Sequence, residues 1–207
     1  MVQSWNSSGI SAFFKVFTTL KSKQNLLPHM SYKTIVEIPF EKLKENGIEL
    51  VVFDKDNTLT APYKNEYFTD EVKKTVEKCQ SLFGYSNVIM LSNSLGAEGE
   101  IKVDKKVDSN LNIYIFIHKH KKPEGFKELS EIYNIPYRNM IVVGDRYLTD
   151  IYGGNEYGMM TCHVDPFTEE GDNTMAKHAR RLENQLVEKY KKQNIQAPSH
   201  PLFSKLD

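Results

Sequence analysis

Five apolar runs of strand length place the strongest constraint on how this 207-residue chain folds. Each run is apolar at successive positions instead of alternating, a pattern typical of strands in a parallel sheet covered by helices on both faces. Helix-forming stretches separate the runs. The alternation predicts an α/β fold with a doubly wound, mostly parallel sheet and right-handed crossovers. The runs cover residues 48–54, 87–93, 112–118, 139–145 and 158–164.

The helical candidates between and after these runs differ in strength. The first begins at a plausible Thr N-cap and stops at a glycine, the second opens with a proline, and the third is weakened by its glycines. The last is strongly helical. The predicted helices cover residues 69–84, 123–134, 149–158 and about 174–193. One domain is therefore predicted over residues 37–195, followed by a loose tail over residues 196–207.

The first 36 residues contain no acidic side chain, since the first one is Glu37. Apolar residues recur there at helical spacing, with Lys15 and Lys21 mostly on the opposite face. Three interpretations remain open: an amphipathic helix that docks on its own domain, a membrane-surface anchor, and a cleaved transit peptide. No apolar run reaches the ~18–20 residues that span a bilayer. The apolar stripe consists of Ile10, Phe13, Phe14, Phe17 and Leu20.

The balance of charges in the whole chain gives no indication that it binds nucleic acid. Lys plus Arg and Asp plus Glu each number 27, so the chain has no net charge that would attract a polyanion. The two cysteines, Cys79 and Cys162, lie far apart and lack metal or redox spacing. They indicate a reducing compartment or two buried thiols.

The polar residues that follow the apolar runs form a coherent chemical set. In doubly wound sheets, ligands bind outside the carboxyl ends of the strands. Each group alone fits a turn, a helix cap or a solvated pair. Together they supply the nucleophile, acid/base, cation, metal carboxylate and hydroxyl that phosphoryl transfer requires. The successive strand ends carry Asp54, Lys55 and Asp56, then Ser92 and Asn93, then HKHKKP at 118–123, then Gly144 and Asp145.

These motifs resemble those of the haloacid dehalogenase superfamily of phosphatases. DKDNT matches its first motif, LSN the second, the lysine of KKP the third and GDRYLTD the fourth, over roughly residues 48–165. The resemblance implies Asp54 as a nucleophile that forms an aspartyl-phosphate, and Asp56 as the general acid and base. It also implies Mg²⁺, held by Asp54, Asp145 and the carbonyl of Asp56.

The same resemblance implies roles for the remaining polar residues. Ser92 and backbone N–H groups near Asn93 would bind phosphate oxygens. Lys122 would neutralise the transferring group, Asp150 would hold that lysine, and Thr58 would secure the loop after the nucleophile. Lys121 is the rival for the lysine role, and Lys122 is preferred because the family's lysine commonly precedes proline. Lys55 departs from the apolar residue of many members and is expected to add a cation near the site's mouth, with no assigned role.

The segments after Thr58 and Ser92 are too short to hold a cap domain, so an open site is expected. The finer pattern, from FEKLKENGIELVVFDKDNTLT to GGNEYGM, resembles the capless subgroup that contains the mitochondrial phosphatidylglycerophosphate phosphatases, and is close to the fungal members. That resemblance covers about residues 10–190. It implies hydrolysis of an anionic phospholipid, phosphatidylglycerophosphate, at the matrix face of the inner mitochondrial membrane, towards cardiolipin.

Two other functions compete with this interpretation. One is a soluble phosphatase of the same superfamily that acts on a small metabolite or a phosphoprotein. The other is a noncatalytic adaptor, against which the intact Asp54, Asp56, Lys122 and Asp145 argue. The basic HKHKKP stretch suits an anionic membrane surface, but it is equally consistent with a solvated loop.

Overall fold

The computed structural model describes residues 19–91, 104–117, 122, 124–168, 170 and 174–203. Within these ranges seven strands form one sheet, with helices packed on both faces. The strands are β1 (Met30–Tyr32), β2 (Leu50–Phe53), β3 (Val88–Met90), β4 (Asp104–Asp108), β5 (Ile113–Ile117), β6 (Met140–Gly144) and β7 (Met160–Val164). The helices are α1 (Leu20–Asn25), α2 (Phe40–Glu45), α3 (Asp70–Phe83), α4 (Leu129–Tyr133), α5 (Tyr152–Glu156) and α6 (Thr174–Lys192).

The sheet has the strand order β1-β7-β6-β2-β3-β5-β4. All neighbouring pairs are parallel except β4 and β5, which are antiparallel. Central strand β2 pairs with β6 on one side and β3 on the other, with Val52 opposite Val142 and Ile89. The predicted mostly parallel, doubly wound fold is confirmed. The carboxyl ends of β2 and β6 therefore lie side by side.

Alternating residues of β2 enter two separate hydrophobic cores. Val51 and Phe53 pack with helices α2 and α3 on one face. Leu50 and Val52 pack on the other face with Phe126 and with Leu129 of α4. Because both faces are covered, the strand is apolar at every position, which is the pattern that the sequence displayed.

The fold begins before the predicted boundary at residue 37. Strand β1 pairs in parallel with β7, and Leu26, which follows α1, is fully buried. A strand of three residues at the edge of the sheet leaves too short a pattern to recognise. Leu20 of the predicted apolar stripe starts α1 and is 62% exposed. The rest of that stripe lies outside the described residues.

The C-terminal segment packs on the domain as far as residue 203. The His29 ring lies 3.0 Å from the carbonyl oxygen of Pro198 and contacts the rings of His200 and Phe203. Leu202 packs against the core that α2 and α3 cover. The prediction of a loose tail is corrected over residues 196–203, because prolines and serines in a sequence do not reveal such docking.

The predicted helices are confirmed with changed boundaries. Thr69 caps α3, with its hydroxyl accepting a hydrogen bond from the N–H of Val72 at 3.3 Å. The candidate over 123–134 is a 3-10 turn at Glu124–Phe126 followed by the short α4. The weak candidate over 149–158 is a π-helical turn, Tyr147–Ile151, that continues into α5. Helix α6 spans most of the predicted last helix.

Two further expectations can be compared with the described residues. Cys79 and Cys162 are both free and buried, and burial raises the pKa of each thiol. This confirms the interpretation as buried thiols. None of the helices in the described ranges combines the length and the apolar character that a bilayer-crossing helix needs.

Candidate active site

Two aspartates meet where central strands β2 and β6 end. Asp54 follows β2 directly, and its N–H donates to the carbonyl of Val143 at 2.8 Å, so the β2–β6 pairing continues to the aspartate itself. Asp145 follows the last residue of β6. Sheet register alone therefore places both carboxylates at one edge of the sheet. Both residues are buried.

A buried lysine bridges two carboxylates at this edge. Nζ of Lys122 lies 2.5 Å from Oδ1 of Asp54 and 2.5 Å from Oδ1 of Asp150. Asp150 also accepts a hydrogen bond from the backbone N–H of Arg146 at 3.2 Å. Lys122 thus occupies the position that the sequence predicted for the motif lysine, while Lys121 lies outside the described residues.

Burial controls the ionisation of these groups. It raises the pKa of Asp54, although the charge of Lys122 opposes the rise, and it raises that of Asp145 well above its usual range against the opposing charge of Arg180. Burial alone would lower the pKa of Lys122, but Asp150 and Asp54 raise it above its ordinary value. The neighbouring aspartates therefore favour the charged form of Lys122, while burial disfavours the charged forms of Asp54 and Asp145.

The carboxylates suit a divalent cation. Asp54, Asp145 and Asp150 each offer an oxygen, and these oxygens lie within 4.8 Å of one another. Hard cations such as Mg²⁺ prefer carboxylate oxygens. Both oxygens of Asp150 are already engaged, by Lys122 and by the N–H of Arg146, whereas the ion pairs of Asp54 and Asp145 each use one oxygen. Asp54 and Asp145, the pair predicted from the sequence, are the carboxylates that fit a metal here.

Gly144 leaves room for the carboxylate of Asp150, which binds Lys122. A Cβ atom at this position would lie 2.5 Å from Cγ of Asp150, far inside van der Waals contact. Asp150 cannot retreat cheaply, because Lys122 and the N–H of Arg146 hold both of its oxygens. The pairing of Asp150 with Lys122 therefore needs a glycine before Asp145.

Asp56 lies in the loop that follows Asp54. Its Oδ1 accepts a hydrogen bond from the N–H of Tyr63 at 3.1 Å and lies 3.4 Å from Nζ of Lys55. Lys55 is buried and also donates to the carbonyl of Lys64. The expectation that Lys55 lies near the mouth of the site is therefore corrected. Its buried ammonium group contacts the carboxylate of Asp56 and the carbonyl of Lys64, and so stabilises the loop.

The remaining predicted residues are only partly placed. Thr58 is buried in the tight turn after Asp56, and its N–H donates to the carbonyl of Lys55 at 3.3 Å. Its hydroxyl has no hydrogen-bond partner among the described residues. The predicted phosphate-binding residues Ser92 and Asn93 lie outside the described ranges.

Helix α6 contributes two charged residues that the motifs did not reveal. Glu183, whose side chain is 0% exposed, accepts from Nη2 of Arg146 at 2.6 Å and from the N–H of Tyr147 at 2.9 Å. Arg180 donates to Oδ2 of Asp145. The available signal is the helix periodicity, since Arg180 and Glu183 share the buried face of α6 with Val187 and Tyr190. Charged residues on a buried helix face need partners.

A stacked pair of rings supports the loop after β6. His163 at the end of β7 stacks on Tyr147 with ring centroids 4.1 Å apart, and its Nε2 lies 3.2 Å from the carbonyl oxygen of Asp145. Burial lowers the pKa of His163 to about 4, so the ring is neutral near pH 7. The histidine therefore fixes the backbone at Asp145 without adding charge.

The parallel sheet, the strand-end carboxylates and the bridging lysine define a phosphatase of the haloacid dehalogenase type. The family model described as mitochondrial PGP phosphatase matches residues 10–168, and the chain belongs to this family.

Curated relatives cover most of the chain. It is 35% identical over 204 residues to phosphatidylglycerophosphate phosphatase 1, chloroplastic, of Chlamydomonas reinhardtii, covering 97% of this chain and 74% of that protein. It is 33% identical to the chloroplastic/mitochondrial protein of that name from Arabidopsis thaliana, covering 91% of this chain and 55% of the relative. A probable mitochondrial phosphatidylglycerophosphatase of Schizosaccharomyces pombe is 32% identical, with coverages of 74% and 79%.

Proposed function

We propose that this protein hydrolyses phosphatidylglycerophosphate to phosphatidylglycerol and inorganic phosphate. The observation that carries the proposal is Lys122, which lies 2.5 Å from both Asp54 and Asp150 beside Asp145. This arrangement provides a nucleophile, its counter-ion and a metal carboxylate at one strand edge. The identity of the substrate is inferred from the relatives that are named for this activity.

The chain's own residues account for both halves of the reaction. Asp54 attacks phosphorus, the bond from phosphorus to the headgroup oxygen breaks, and Asp56 protonates the leaving alkoxide. Asp56 then takes a proton from the water that hydrolyses the aspartyl-phosphate and regenerates Asp54. Lys122 neutralises the transferring group and keeps Asp54 ionised, while Asp150 holds Lys122. Ser92 and the N–H groups near Asn93 bind the phosphate oxygens.

The proposal includes Mg²⁺, held by Asp54, Asp145 and the carbonyl of Asp56. When bound, it offsets the repulsion between the substrate phosphate and the aspartates. The geometry supports this assignment, because oxygens of the buried Asp54 and Asp145 lie within 4.8 Å of one another.

The proposed site of action is a membrane surface in mitochondria, on the matrix side of the inner membrane, in the route to cardiolipin. The family description and the fission yeast relative carry the word mitochondrial, whereas the algal relative is named chloroplastic. The basic, Phe-rich N-terminal segment suits reversible binding to anionic lipid. Cosedimentation with vesicles, with and without anionic phospholipid, tests this contact.

Phosphate release from phosphatidylglycerophosphate in mixed micelles tests the function. We expect a larger kcat/KM for this lipid than for glycerol phosphate or a phosphoserine peptide, with activity lost on chelation and restored by Mg²⁺. Equal or greater kcat/KM for either soluble substrate would instead favour a soluble phosphatase. Full activity in excess chelator would contradict the metal assignment.

A further inference from the structure

Helix α6 brings a second buried cation to the strand-end carboxylates. Arg180 donates through Nη2 to Oδ2 of Asp145, and only 9% of its side chain is exposed. Desolvating a guanidinium is costly, so a buried arginine needs anionic partners. Arg180 lies outside the stretch that the family model matches, and none of the four motifs assigns it a role.

A cavity of about 380 Å³ lies beside this ion pair. Its walls include Asp145, Tyr147, His163, Arg180 and Lys191. The volume is within the range of pockets that hold small ligands. Arg180 is thus shielded from bulk water but borders a space that a polar headgroup can enter. Two exposed carboxylates, Asp165 and Glu188, also border the cavity.

The charges at this edge favour an anion once a metal is bound. The three buried carboxylates of Asp54, Asp145 and Asp150 contact two cations, Lys122 and Arg180. These carboxylates outnumber the two cations by one, so a divalent cation held by Asp54 and Asp145 would give the group an excess of positive charge. The guanidinium of Arg180, which contacts Asp145 through Nη2, has a planar fork of donors that suits a phosphate oxygen as an additional partner.

We propose that Arg180 is a further substrate-binding residue, whose guanidinium binds a phosphate group of the substrate beside Asp145. This inference rests on the proposed function. That substrate carries two phosphates: the monoester that is transferred and the phosphodiester that links the headgroup to the lipid. The described residues include no cap domain, and α6 supplies the side chain that recognises one of these phosphates.

The position of α6 is fixed well enough for this role. Glu183, one turn after Arg180, is anchored to Arg146 and to the N–H of Tyr147. These residues immediately follow Asp145, so the contacts of Glu183 tie α6 to the loop that begins at Asp145. A rigid support of this kind lowers the entropic cost of binding.

The test compares Arg180→Gln and Arg180→Lys with Arg181→Gln, which alters the exposed neighbour on the same helix. Three quantities are measured on folded protein: the inhibition constant of inorganic phosphate, KM for an aryl phosphate and for deacylated phosphatidylglycerophosphate, and Mg²⁺ affinity by calorimetry without substrate. We expect Arg180→Gln to weaken phosphate or substrate binding roughly 10- to 100-fold, the size of a charge-assisted hydrogen bond. Arg180→Lys should fall between, and Arg181→Gln should match the wild type.

The pattern of losses identifies which phosphate is bound. Losses with inorganic phosphate and both substrates assign Arg180 to the transferred group, whereas a loss confined to the two-phosphate substrate assigns it to the phosphodiester. Removing a cation next to Asp145 should leave Mg²⁺ binding unchanged or tighter. Unchanged inhibition constant and KM values, with weaker Mg²⁺ binding, would overturn the proposal and leave Arg180 as a positioning residue for Asp145.

The arms also separate this proposal from the proposed function. If the wild type hydrolyses the aryl phosphate but not the two-phosphate substrate, the lipid assignment fails while the inorganic phosphate and aryl phosphate arms still decide the role of Arg180. If Arg180→Gln does not fold, Arg180→Lys decides, because it retains the charge but not the fork. Wild-type KM values and phosphate inhibition in that variant would contradict the proposal.

Discussion

The ends of strands β2 and β6 and the face of helix α6 both supply charged groups to the site, but they are held in different ways. Asp54 and Asp145 directly follow paired strands, and the backbone bond from Asp54 to Val143 fixes their separation. Arg180 and Glu183 depend on side-chain ion pairs across the end of the sheet. The strand ends are therefore positioned by register, and α6 is positioned by electrostatics.

This difference predicts that substitutions at the strand ends and substitutions on α6 have different effects. A substitution at a strand end should remove a reacting group while the sheet remains intact. A substitution at Glu183, which ties α6 to Arg146 and Tyr147, should loosen the loop from Arg146 to Asp150 and so affect stability and activity together. The predictions that follow test this division, beginning with the largest expected effect.

Asp54→Asn should abolish turnover, because the amide keeps the shape but is neither a nucleophile nor an anionic metal ligand. Loss of a covalent nucleophile typically costs several orders of magnitude in kcat. The melting temperature should stay close to that of the wild type, since Lys122 keeps its ion pair with Asp150 and the backbone pairing with Val143 remains. Phosphate release and thermal unfolding measure the two. Turnover near the wild-type level would remove Asp54 from the mechanism.

Glu183→Gln should destabilise the fold and lower activity in parallel. Breaking a buried ion pair from one side costs about 3–5 kcal/mol, and here Arg146 and the N–H of Tyr147 both lose a charged acceptor. Leu182→Gln, at an exposed neighbour on the same helix, is the matched control. Urea unfolding and aryl phosphate turnover provide the readouts. If Glu183→Gln unfolds like the control, α6 is not held by its ion pairs.

Asp56→Asn should affect substrates unequally. As general acid, Asp56 matters most for alkyl phosphates, whose leaving groups need a proton, and general acid–base catalysis is typically worth about 10²–10⁴-fold. Aryl phosphates should suffer less. Comparing kcat/KM for a series of leaving groups measures the effect. An equal loss across the series would show that Asp56 positions the loop of Lys55 and Tyr63 instead of transferring a proton.

The smallest effect concerns pH. Burial, with a contribution from His200, lowers the pKa of His29 to about 4. An unfolded chain protonates histidine below about 6.5, so the unfolded state binds more protons between these values. The contribution of neutral His29 to stability is therefore present above about pH 6.5 and falls as the pH drops towards 4.

The loss should approach about 1.4 kcal/mol per pH unit at most. Urea midpoints at pH 7.5, 6 and 5 for the wild type and His29→Asn isolate this term, because contributions from the active-site carboxylates cancel between the two. If the urea midpoints of the two proteins changed equally with pH, the predicted contribution of His29 would be contradicted. His29 lies between β7 and the C-terminal segment, so its titration should leave Mg²⁺ binding unchanged.

The sequence predicted the parts of the molecule that local pattern encodes. Strands apolar on both faces predicted the sheet, and residues that directly follow a strand, such as Asp54 and Asp145, were predicted to meet because parallel strand ends share an edge. Strand β1 was missed because three residues carry too little pattern. The docking of His29 against Pro198 was missed because it joins segments far apart in the chain.

The contributions of Arg180, Glu183 and Lys55 were missed for another reason. Their roles depend on where a helix face or a loop packs, and the same residue types are common on solvent-exposed surfaces. Lys55 was recognised as unusual, yet only the structure shows that it contacts Asp56 and the carbonyl of Lys64. The roles assigned to Ser92 and Asn93 stay predictions.

The lack of a side chain at Gly144 limits which residues a related phosphatase can carry at this position. Because Asp150 fills the space of the missing side chain, any larger residue there would displace the lysine–aspartate couple while leaving the sheet able to form. A descendant that had abandoned hydrolysis would be free to accept such a change, whereas a working one would not. A larger residue in place of Gly144 is therefore expected only in a relative that no longer depends on the pairing of Lys122 with Asp150.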